Sequence, residues 1–494
     1  MGKGNVVRLT ARDGALVEYV NENPMQGGMK DVYFSPDRSY VVAFFRKPLD
    51  FSGKERLEKL VGEYRTSIFD QHTGDYWKSL YRWPERIVEQ NGLWGLVVPA
   101  YQGHFFFGAS TSLAGVEKEG KWFSSAKNFN RFLPAEEKGT LAGYLTASLL
   151  LSRAVRRMHA AGLAHSDLSY KNCLIDPVGG RACIIDIDGL VVPHLFPPEV
   201  IGTPDFIAPE VIATRQLSMQ DPGRRLPCRE TDQHALAVLV YMYLLHRHPL
   251  RGGKVHDMDN DLQEELEMGT KALFIEHPHD LSNRPRLGVS DAPCLPWLDP
   301  EQLPYTVCGP FLKELFDKAF IDGLHAPARR PTADDWETAL VRTFDLLVPC
   351  DNPSCVKKWF VFDNRTRPVC PFCGTPYGEI MPVLNFYSSH NGQDFRYDNH
   401  RLLVFEGQQL FPWHASRIVF QNEHLKTAER QPVADCERQQ GQWVLINRAL
   451  AGMKNLSTGE MVPVGGSVVL KEGLQLLLSA EAAGRIVQVQ MVGG

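Results

Sequence analysis

His165–Asn172, with the sequence HSDLSYKN, and Ile184–Gly189, with the sequence IIDIDG, are the stretches that decide the fold. Asp186 lies fourteen residues past Asn172. Phosphoryl transfer needs a carboxylate beside the attacking hydroxyl, together with an amide and a second carboxylate that hold Mg²⁺ against the nucleotide phosphates. The spacing predicts that Asp167, Asn172 and Asp186 take these three roles.

These stretches resemble the catalytic loop and the metal-binding motif of bacterial eukaryotic-like Ser/Thr protein kinases. Gly202–Glu210 (GTPDFIAPE) is similar to the end of the activation segment in that family. Three motifs in the right order carry more weight than any one alone. The alternative is that Asp167 caps a helix and Asp186 is a polar residue at a strand end. The resemblance implies a bilobal α+β fold, ATP and Mg²⁺ as cofactors, and protein substrates.

Supporting positions agree with the resemblance. Asp232 matches the family's buried aspartate that braces the catalytic loop, and Arg330 matches the arginine that pairs with the Glu210 equivalent. A buried carboxylate needs such a partner to offset its desolvation. Both could instead be surface charges. Lys171, four residues past Asp167, either neutralises the γ-phosphate or is a solvated loop lysine.

The N-terminal part predicts two strands, a helix and two further strands. Between Gln26 and Tyr33 the sequence resembles a glycine-rich loop that has lost its last glycine, in which Gly27 and Gly28 still let backbone N–H groups approach phosphate. A plain hairpin turn is the alternative. Helical spacing of apolar residues predicts a helix over residues 54–69.

The phosphate-pairing lysine is harder to assign. Phe45 stands where the kinase family has lysine. We expect Lys47 to take the role because it shares the face of Phe45 in a period-2 strand, with Arg46 as the alternative. Its carboxylate partner on the helix is predicted to be Glu58, or else Glu63, although either could be a solvated helix charge.

The resemblance also places the two lobes. Val97–Tyr101 looks like the hinge, where Pro99, Tyr101 and the backbone bind adenine. The kinase domain is expected to span residues 1–346, with the N-lobe over about 1–100 and the C-lobe over about 101–346.

Departures from the family pattern concern regulation. The arginine that usually precedes the catalytic aspartate is Ser166 here, and no Ser, Thr or Tyr lies between Gly189 and Gly202. Switching by loop phosphorylation is therefore not expected. The sequence Asp186–Ile187–Asp188 replaces Asp-Phe-Gly, so Asp188 is either a strand cap or a second metal ligand.

Four cysteines gather in a short region after the kinase motifs. Separations of four, fourteen and two residues are typical of a zinc ribbon, in which two tight turns each offer two thiolates. We predict a structural Zn²⁺ in a ribbon over residues 347–378, with buried or redox-active cysteines as the alternative. The predicted ligands are Cys350, Cys355, Cys370 and Cys373.

Residues 379–494 show short β-type runs separated by Gly and Asn, a pattern that predicts a small all-β sandwich. The runs around Gly441–Asn447 and Val462–Gly473 resemble the second half of a forkhead-associated (FHA) domain, but the family's phosphate contacts are absent. A docking or autoregulatory role is favoured. The whole architecture resembles the kinase of the bacterial tellurite-resistance phosphorylation triad. That resemblance implies a metal-dependent protein phosphatase and a von Willebrand A-type protein as partners.

Net charge and the length of the apolar stretches indicate which partners and which location to expect. The net charge is −5, which does not favour nucleic acid or an anionic membrane as partner. The longest apolar stretch is too short to span a bilayer, and no charged-then-apolar leader opens the sequence, so a cytoplasmic location is expected. Two rivals remain: a pseudokinase scaffold that binds nucleotide and partners without turnover, and a zinc-dependent nucleic-acid binder.

Overall fold

The computed structural model describes residues 5–26, 28–70, 73–192, 202–363 and 367–493. The chain forms two compact units. The first unit comprises Met1–Gly139, Gly143–Tyr305 and Leu315–Glu337, and the second comprises Thr140–Ala142, Thr306–Glu314 and Thr338–Gly494. Within the described part of the chain, no helix is long and apolar enough to cross a membrane.

The first unit begins with antiparallel β-structure. Its strands are β1 (Val6–Thr10), β2 (Leu16–Val20), β3 (Met25–Gln26), β4 (Lys30–Phe34), β5 (Tyr40–Phe45), β6 (Arg86–Gln90) and β7 (Leu93–Pro99). β1 and β2 form a hairpin, and the others form one sheet in the order β3-β4-β5-β7-β6. The turn between β4 and β5 is closed by Asp37, which accepts hydrogen bonds from Ser35 and Ser39. Lys30 pairs with Phe45 across these two strands.

A helical stretch separates β5 from β6. Asp50 caps its start, since Gly53 N–H donates to the Asp50 side chain, 2.7 Å away. The stretch consists of α1 (Phe51–Lys59), a π-helical turn (Leu60–Tyr64) and α2 (Arg65–Phe69). The helical spacing that predicts this stretch is that of Leu57, Leu60, Val61, Tyr64 and Ile68. All five are buried except Val61, which is partly exposed. The π-turn was not predicted.

Helices are the main regular elements between residues 74 and 344. Its helices are α3 (Gly74–Leu80), α4 (Ala126–Arg131), α5 (Leu141–Ala160), α6 (Pro209–Ala213), α7 (Arg229–Leu245), α8 (Asn260–Met268), α9 (Pro310–Asp317) and α10 (Ala333–Phe344). α7 is buried from His234 to Leu245, as its continuous apolar run predicts. A hairpin of β8 (Cys173–Asp176) and β9 (Arg181–Ile184) interrupts the helices and carries the predicted catalytic residues at its ends.

The second unit contains the cysteine cluster and two antiparallel sheets. Its strands are β10 (Leu347–Pro349), β11 (Trp359–Val361), β12 (Met381–Ser388), β13 (Arg396–Leu403), β14 (Gln409–Leu410), β15 (Ala434–Gln439), β16 (Gln442–Asn447), β17 (Lys454–Asn455), β18 (Ser467–Val469), β19 (Gln475–Leu477) and β20 (Arg485–Val492), with α11 (Pro412–Ala415) between β14 and β15. β10 pairs with β11, and the two sheets have the orders β13-β12-β20-β19-β17 and β14-β15-β16-β18. Leu384, Val487, Cys436 and Leu445, from both sheets, share one apolar core.

Candidate active site

The loop between α5 and β8 carries the predicted catalytic aspartate and is fixed by Asp232. This buried carboxylate on α7 accepts the backbone N–H of His165, 2.7 Å away, and lies 3.1 Å from His159 Nε2. The His165 ring in turn contacts the Ile185 carbonyl at 3.0 Å, which ties the loop to the end of β9. Asp232 therefore occupies the bracing position that the sequence predicts for it.

Asp167 is held in one orientation by two hydrogen bonds. Its Oδ1 accepts the Thr203 backbone N–H at 2.6 Å, and its Oδ2 accepts the Asn172 side-chain amide at 3.0 Å. The same amide nitrogen donates to the Asp167 carbonyl, 2.8 Å away. Because the Asn172 nitrogen is committed to Asp167, the amide oxygen is the atom left for a cation. Two of the three predicted catalytic residues are thus in direct contact.

Asp186 lies two residues past the end of β9 and near Asn172. Ile185 N–H donates to the Asn172 carbonyl at 3.0 Å, so the residue next to Asp186 is bonded to Asn172. Asp186 and Ser166 both have positive φ, 57° and 67°. Such backbone conformations cost of the order of 1 kcal/mol each and cluster at functional sites. The Asp186 side chain is 55% exposed, which leaves it accessible to a cation.

A lysine that the sequence did not single out approaches this carboxylate. Lys30 Nζ lies 2.6 Å from Asp188 Oδ1 and 3.3 Å from Asp186 Oδ1. Burial alone would lower the pKa of Lys30, but the two carboxylates outweigh it and raise that pKa. For Asp186, burial alone would raise the pKa, but the charge of Lys30 opposes burial and the pKa is lowered. The site therefore holds a charged lysine beside a charged Asp186.

Asp188 is the more enclosed of the two carboxylates. Its side chain is 11% exposed, and burial together with Asp186 raises its pKa despite Lys30. Asp188 sits in a short 3₁₀ turn, Ile187–Gly189, whose Gly189 carbonyl accepts the Ser166 hydroxyl at 3.1 Å. The structure thus gives Asp188 a lysine partner, an arrangement that neither the strand-cap nor the second-ligand interpretation anticipates.

The predicted ion pair between Lys47 and Glu58 is not the one that forms. β5 ends at Phe45, so the period-2 pattern does not continue to Lys47, which is exposed beyond the strand. Glu58 Oε1 instead lies 2.8 Å from a guanidinium nitrogen of Arg12, which is in the turn after β1. Glu63 is exposed. The alternative cation, Arg46, pairs with Asp31 at 2.9 Å.

The other predicted nucleotide contacts have mixed outcomes. Gly27 lies outside the described residues, whereas Gly28 is described and has open space around its Cα. Pro99 ends β7, and Tyr101 packs against a buried apolar cluster that includes Phe105 and Leu174. Lys171 is exposed and directly precedes Asn172.

Arg330 and Glu210 form the predicted ion pair. The guanidinium contacts both Glu210 oxygens, at 2.8 and 2.7 Å, and also donates to the carbonyls of Gly323, Leu324 and Glu230. The arginine side chain is buried, so the pair anchors the start of α6. Residues 193–201, most of the predicted unphosphorylated loop, lie outside the described residues.

The four clustered cysteines converge as zinc ligands would. Cys350 Sγ lies 3.5 Å from Cys373 Sγ, Cys355 Sγ lies 3.8 Å from Cys370 Sγ, and all four sulfurs are within 4.8 Å of one another. A tetrahedral Zn²⁺ with bonds of about 2.3 Å holds its sulfurs roughly 3.8 Å apart. The donor set therefore fits zinc, although no metal is part of the structure.

Comparison with known proteins adds one informative relative. No protein-family model matches the chain. Over 118 residues it is 36% identical to the DNA damage-responsive serine/threonine-protein kinase RqkA of Deinococcus radiodurans. That match covers 22% of this chain and 16% of the relative. Among solved structures, the rhoptry antigen kinase domain of Toxoplasma gondii aligns with a TM-score of 0.36 and 15% identity, covering 56% of this chain and 85% of that domain. The chain is therefore similar, over a limited segment, to part of a bacterial serine/threonine-protein kinase.

Proposed function

We propose that the chain is an ATP-dependent kinase that transfers the γ-phosphate to serine or threonine hydroxyls of protein substrates. The observation that carries the proposal is the arrangement of Asp167, Asn172 and Asp186. Asp167 is bonded to the Asn172 amide, and the residue before Asp186 is bonded to the Asn172 carbonyl. This arrangement supports the proposal, because phosphoryl transfer requires a proton acceptor and cation ligands close together.

In the proposed reaction, Asp167 orients the substrate hydroxyl and accepts its proton as the oxygen bonds to the γ-phosphorus and ADP leaves. The Thr203 N–H and the Asn172 amide hold the carboxylate in place, which avoids reorientation during transfer. Asn172 Oδ1 and Asp186 would hold Mg²⁺, which neutralises phosphate charge. Lys171 neutralises the γ-phosphate, Gly27 and Gly28 offer backbone N–H groups, and Pro99 and Tyr101 border the adenine.

The proposal extends to the domain division. Residues 1–346 form the kinase domain, residues 347–378 a zinc ribbon and residues 379–494 an FHA-like sandwich. The ribbon is supported by sulfur separations that suit tetrahedral zinc. The sandwich is supported by two antiparallel sheets that share one apolar core.

The wider setting is also a proposal. The order of kinase, ribbon and β-rich segment favours a cytoplasmic kinase of a bacterial stress-response or tellurite-resistance system. Its partners would be a metal-dependent protein phosphatase and a von Willebrand A-type protein. Co-purification from a bacterium that carries all three genes tests this setting, and absence of both partners would contradict it.

The test of the kinase activity compares wild type with Asp167→Ala, using labelled ATP, Mg²⁺ and a generic protein substrate. Asp75→Ala is the matched control, because Asp75 is exposed and contacts only a neighbouring surface lysine among the interactions described. We expect phosphoserine or phosphothreonine from wild type and the control, and none from Asp167→Ala. Nucleotide binding without transfer in wild type would favour the pseudokinase alternative instead.

A further inference from the structure

The ion pair that the sequence assigns to Lys47 and Glu58 has a counterpart built from other residues. Lys30 and Phe45 are direct partners across β4 and β5. Directly paired residues on antiparallel strands project to the same face, with Cβ atoms about 5 Å apart. A lysine at position 30 therefore reaches the space that a lysine at position 45 would fill. Its Nζ lies 5.4 Å from the centre of the Phe45 ring, which confirms that the two side chains share that face.

The carboxylate that pairs with the lysine also differs from the predicted one. Glu58 on α1 is taken up by Arg12 at 2.8 Å, on an exposed surface. Lys30 instead contacts Asp188 at 2.6 Å, and both side chains are largely buried, at 17% and 11% exposure. A pair this short and enclosed holds the lysine side chain in one place more firmly than an exposed pair would.

The second contact of Lys30 points to its ligand. Its bond to Asp186 is longer, 3.3 Å, and Asp186 is the open side of the cluster. A phosphate oxygen that enters beside Asp186 can replace this weaker contact while the Asp188 contact stays. Two carboxylates and one ammonium leave a net charge of −1, which attracts the divalent cation that accompanies nucleotide phosphates.

We propose that Lys30 anchors the phosphates of ATP and that Asp188 is the positioning residue that holds its ammonium, so that a β4 lysine and the carboxylate two residues past Asp186 replace the Lys47–Glu58 pair. This inference rests on the proposed kinase function. In this proposal the phosphate-binding lysine comes from β4 and its carboxylate partner from the turn after β9, and no glutamate on α1 contributes.

Chemical labelling of lysines tests the inference without phosphoryl transfer. Wild-type protein is treated with acetic anhydride, with and without MgATP, and the rate at each lysine is read by mass spectrometry. We expect MgATP to slow labelling of Lys30 at least about tenfold while exposed Lys78 is unchanged. Protection of Lys47 in place of Lys30 would overturn the proposal.

Substitutions test the same point through ATP affinity and turnover. Lys30→Met should lower kcat/KM for ATP by about 100-fold, the effect of losing one charged phosphate contact, whereas Lys78→Met should stay within about twofold. The double variant Lys30→Phe/Phe45→Lys returns an ammonium to the same face and should recover at least tenfold over Lys30→Met. A swap that recovers nothing while the protein stays folded contradicts the proposal.

Asp188→Asn tests positioning, because a neutral amide keeps the shape but not the charge. Labelling of Lys30 should accelerate severalfold in this variant, and KM for ATP should rise more than kcat falls. If Lys30 is labelled at the same rate in Asp188→Asn as in wild type, Asp188 does not position the Lys30 ammonium. The proposed kinase function and the proposed role of Lys30 can fail separately. If wild type is inactive but MgATP still protects Lys30, only the kinase function is contradicted. If wild type is active but MgATP does not protect Lys30, only the role of Lys30 is contradicted.

Discussion

Asp186 is the single residue on which the proposed chemistry depends most directly. Its exposed carboxylate lies beside Lys30 and next to the residue bonded to Asn172. Asp186→Ala should abolish Mg²⁺-dependent phosphorylation, with a loss of roughly 2 kcal/mol or more in transition-state stabilisation. Thermal unfolding should change little because the side chain is open to solvent. Asp75→Ala is the control, and unchanged activity in Asp186→Ala would refute the mechanism.

Single residues also show where sequence reasoning succeeds and where it stops. Asp167 and Asn172 are five positions apart in one loop, so their roles could be predicted from a local motif, and the structure adds the contact between them. The contact of Lys30 with Asp188 spans 158 positions and depends on strand pairing. The sequence feature that could have indicated Lys30 is Phe45, which stands at the position of the family's lysine and has Lys30 as its cross-strand partner. Without the register of β4 and β5, only the cations that follow Phe45 in sequence, Arg46 and Lys47, could be considered.

At the scale of elements, the pair between Arg330 and Glu210 fastens the start of α6. Arg330 donates to both carboxylate oxygens and to three backbone carbonyls from a buried position. Arg330→Ala removes all of these hydrogen bonds and leaves the Glu210 carboxylate without its guanidinium partner, so we expect a loss of at least about 2 kcal/mol in the free energy of unfolding. Arg329→Ala, at the neighbouring exposed position, is the control in urea unfolding. Equal midpoints for both variants would contradict the anchoring role.

The cysteine cluster gives a second prediction at this scale. Purified protein should contain about one zinc per chain, and Cys370→Ser should lose it, because the four sulfurs already have separations suited to tetrahedral coordination. Cys228→Ser is the control, since Cys228 stands at the start of α7, where serine is a favourable cap. Elemental analysis measures the metal. Zinc-free wild-type protein, or full zinc in Cys370→Ser, would refute the prediction.

Elements were predicted well where the local pattern was strong. The helix over residues 54–69 followed from its apolar spacing, but its π-turn at Leu60–Tyr64 did not, because one extra residue in a turn barely changes that spacing. β12 was missed because Pro382 interrupts its apolar run, and proline counts against a strand interior. β15 was missed because its buried residues, Ala434 and Cys436, are small and its other positions polar.

At the scale of the whole molecule, the second unit contains a buried cluster that makes its stability depend on pH. Asp345 lies 2.5 Å from His400 Nε2 and 3.3 Å from His414 Nε2. The Phe411 N–H donates to His414 Nδ1, so the Nε2 of His414 carries the proton that faces Asp345. Burial would raise the pKa of Asp345, but His414 and His400 lower it. Burial lowers the pKa of His400, aided by Arg485 and opposed by Asp345.

These directions fix the sign of the pH dependence. With its pKa lowered on folding, His400 binds fewer protons in the folded state than in the unfolded state, whose pKa is about 6.5, so stability falls as pH drops below that value. The contribution of Asp345 is lost only below about pH 4. Calorimetry from pH 7 to pH 5 should show this fall, to which His400 contributes at most about 1.4 kcal/mol per pH unit. His400→Gln should flatten it and exposed His390→Gln should not; equal slopes would contradict the assignment.

Regulation is the property that belongs to the whole chain. No hydroxyl residue lies between Gly189 and Gly202, and the nearest one beyond, Thr203, is buried with its hydroxyl 3.2 Å from Ser169. Ser166 replaces the arginine that a loop phosphate would pair with, and Lys30 already contacts Asp188 without any modification. Between Gly189 and Gly202 the sequence therefore offers no hydroxyl for a phosphate, and Ser166 offers such a phosphate no positive charge.

We therefore expect the full-length enzyme to keep its activity, within about twofold, after a broad-specificity phosphatase has removed all phosphate and has itself been removed. Mass spectrometry verifies the dephosphorylation, and initial rates are taken before autophosphorylation resumes. Activity would then be set by protein partners, for which the two sheets of the second unit are the proposed docking surface. A tenfold loss on dephosphorylation, reversed by incubation with MgATP, would show that phosphorylation switches the enzyme after all.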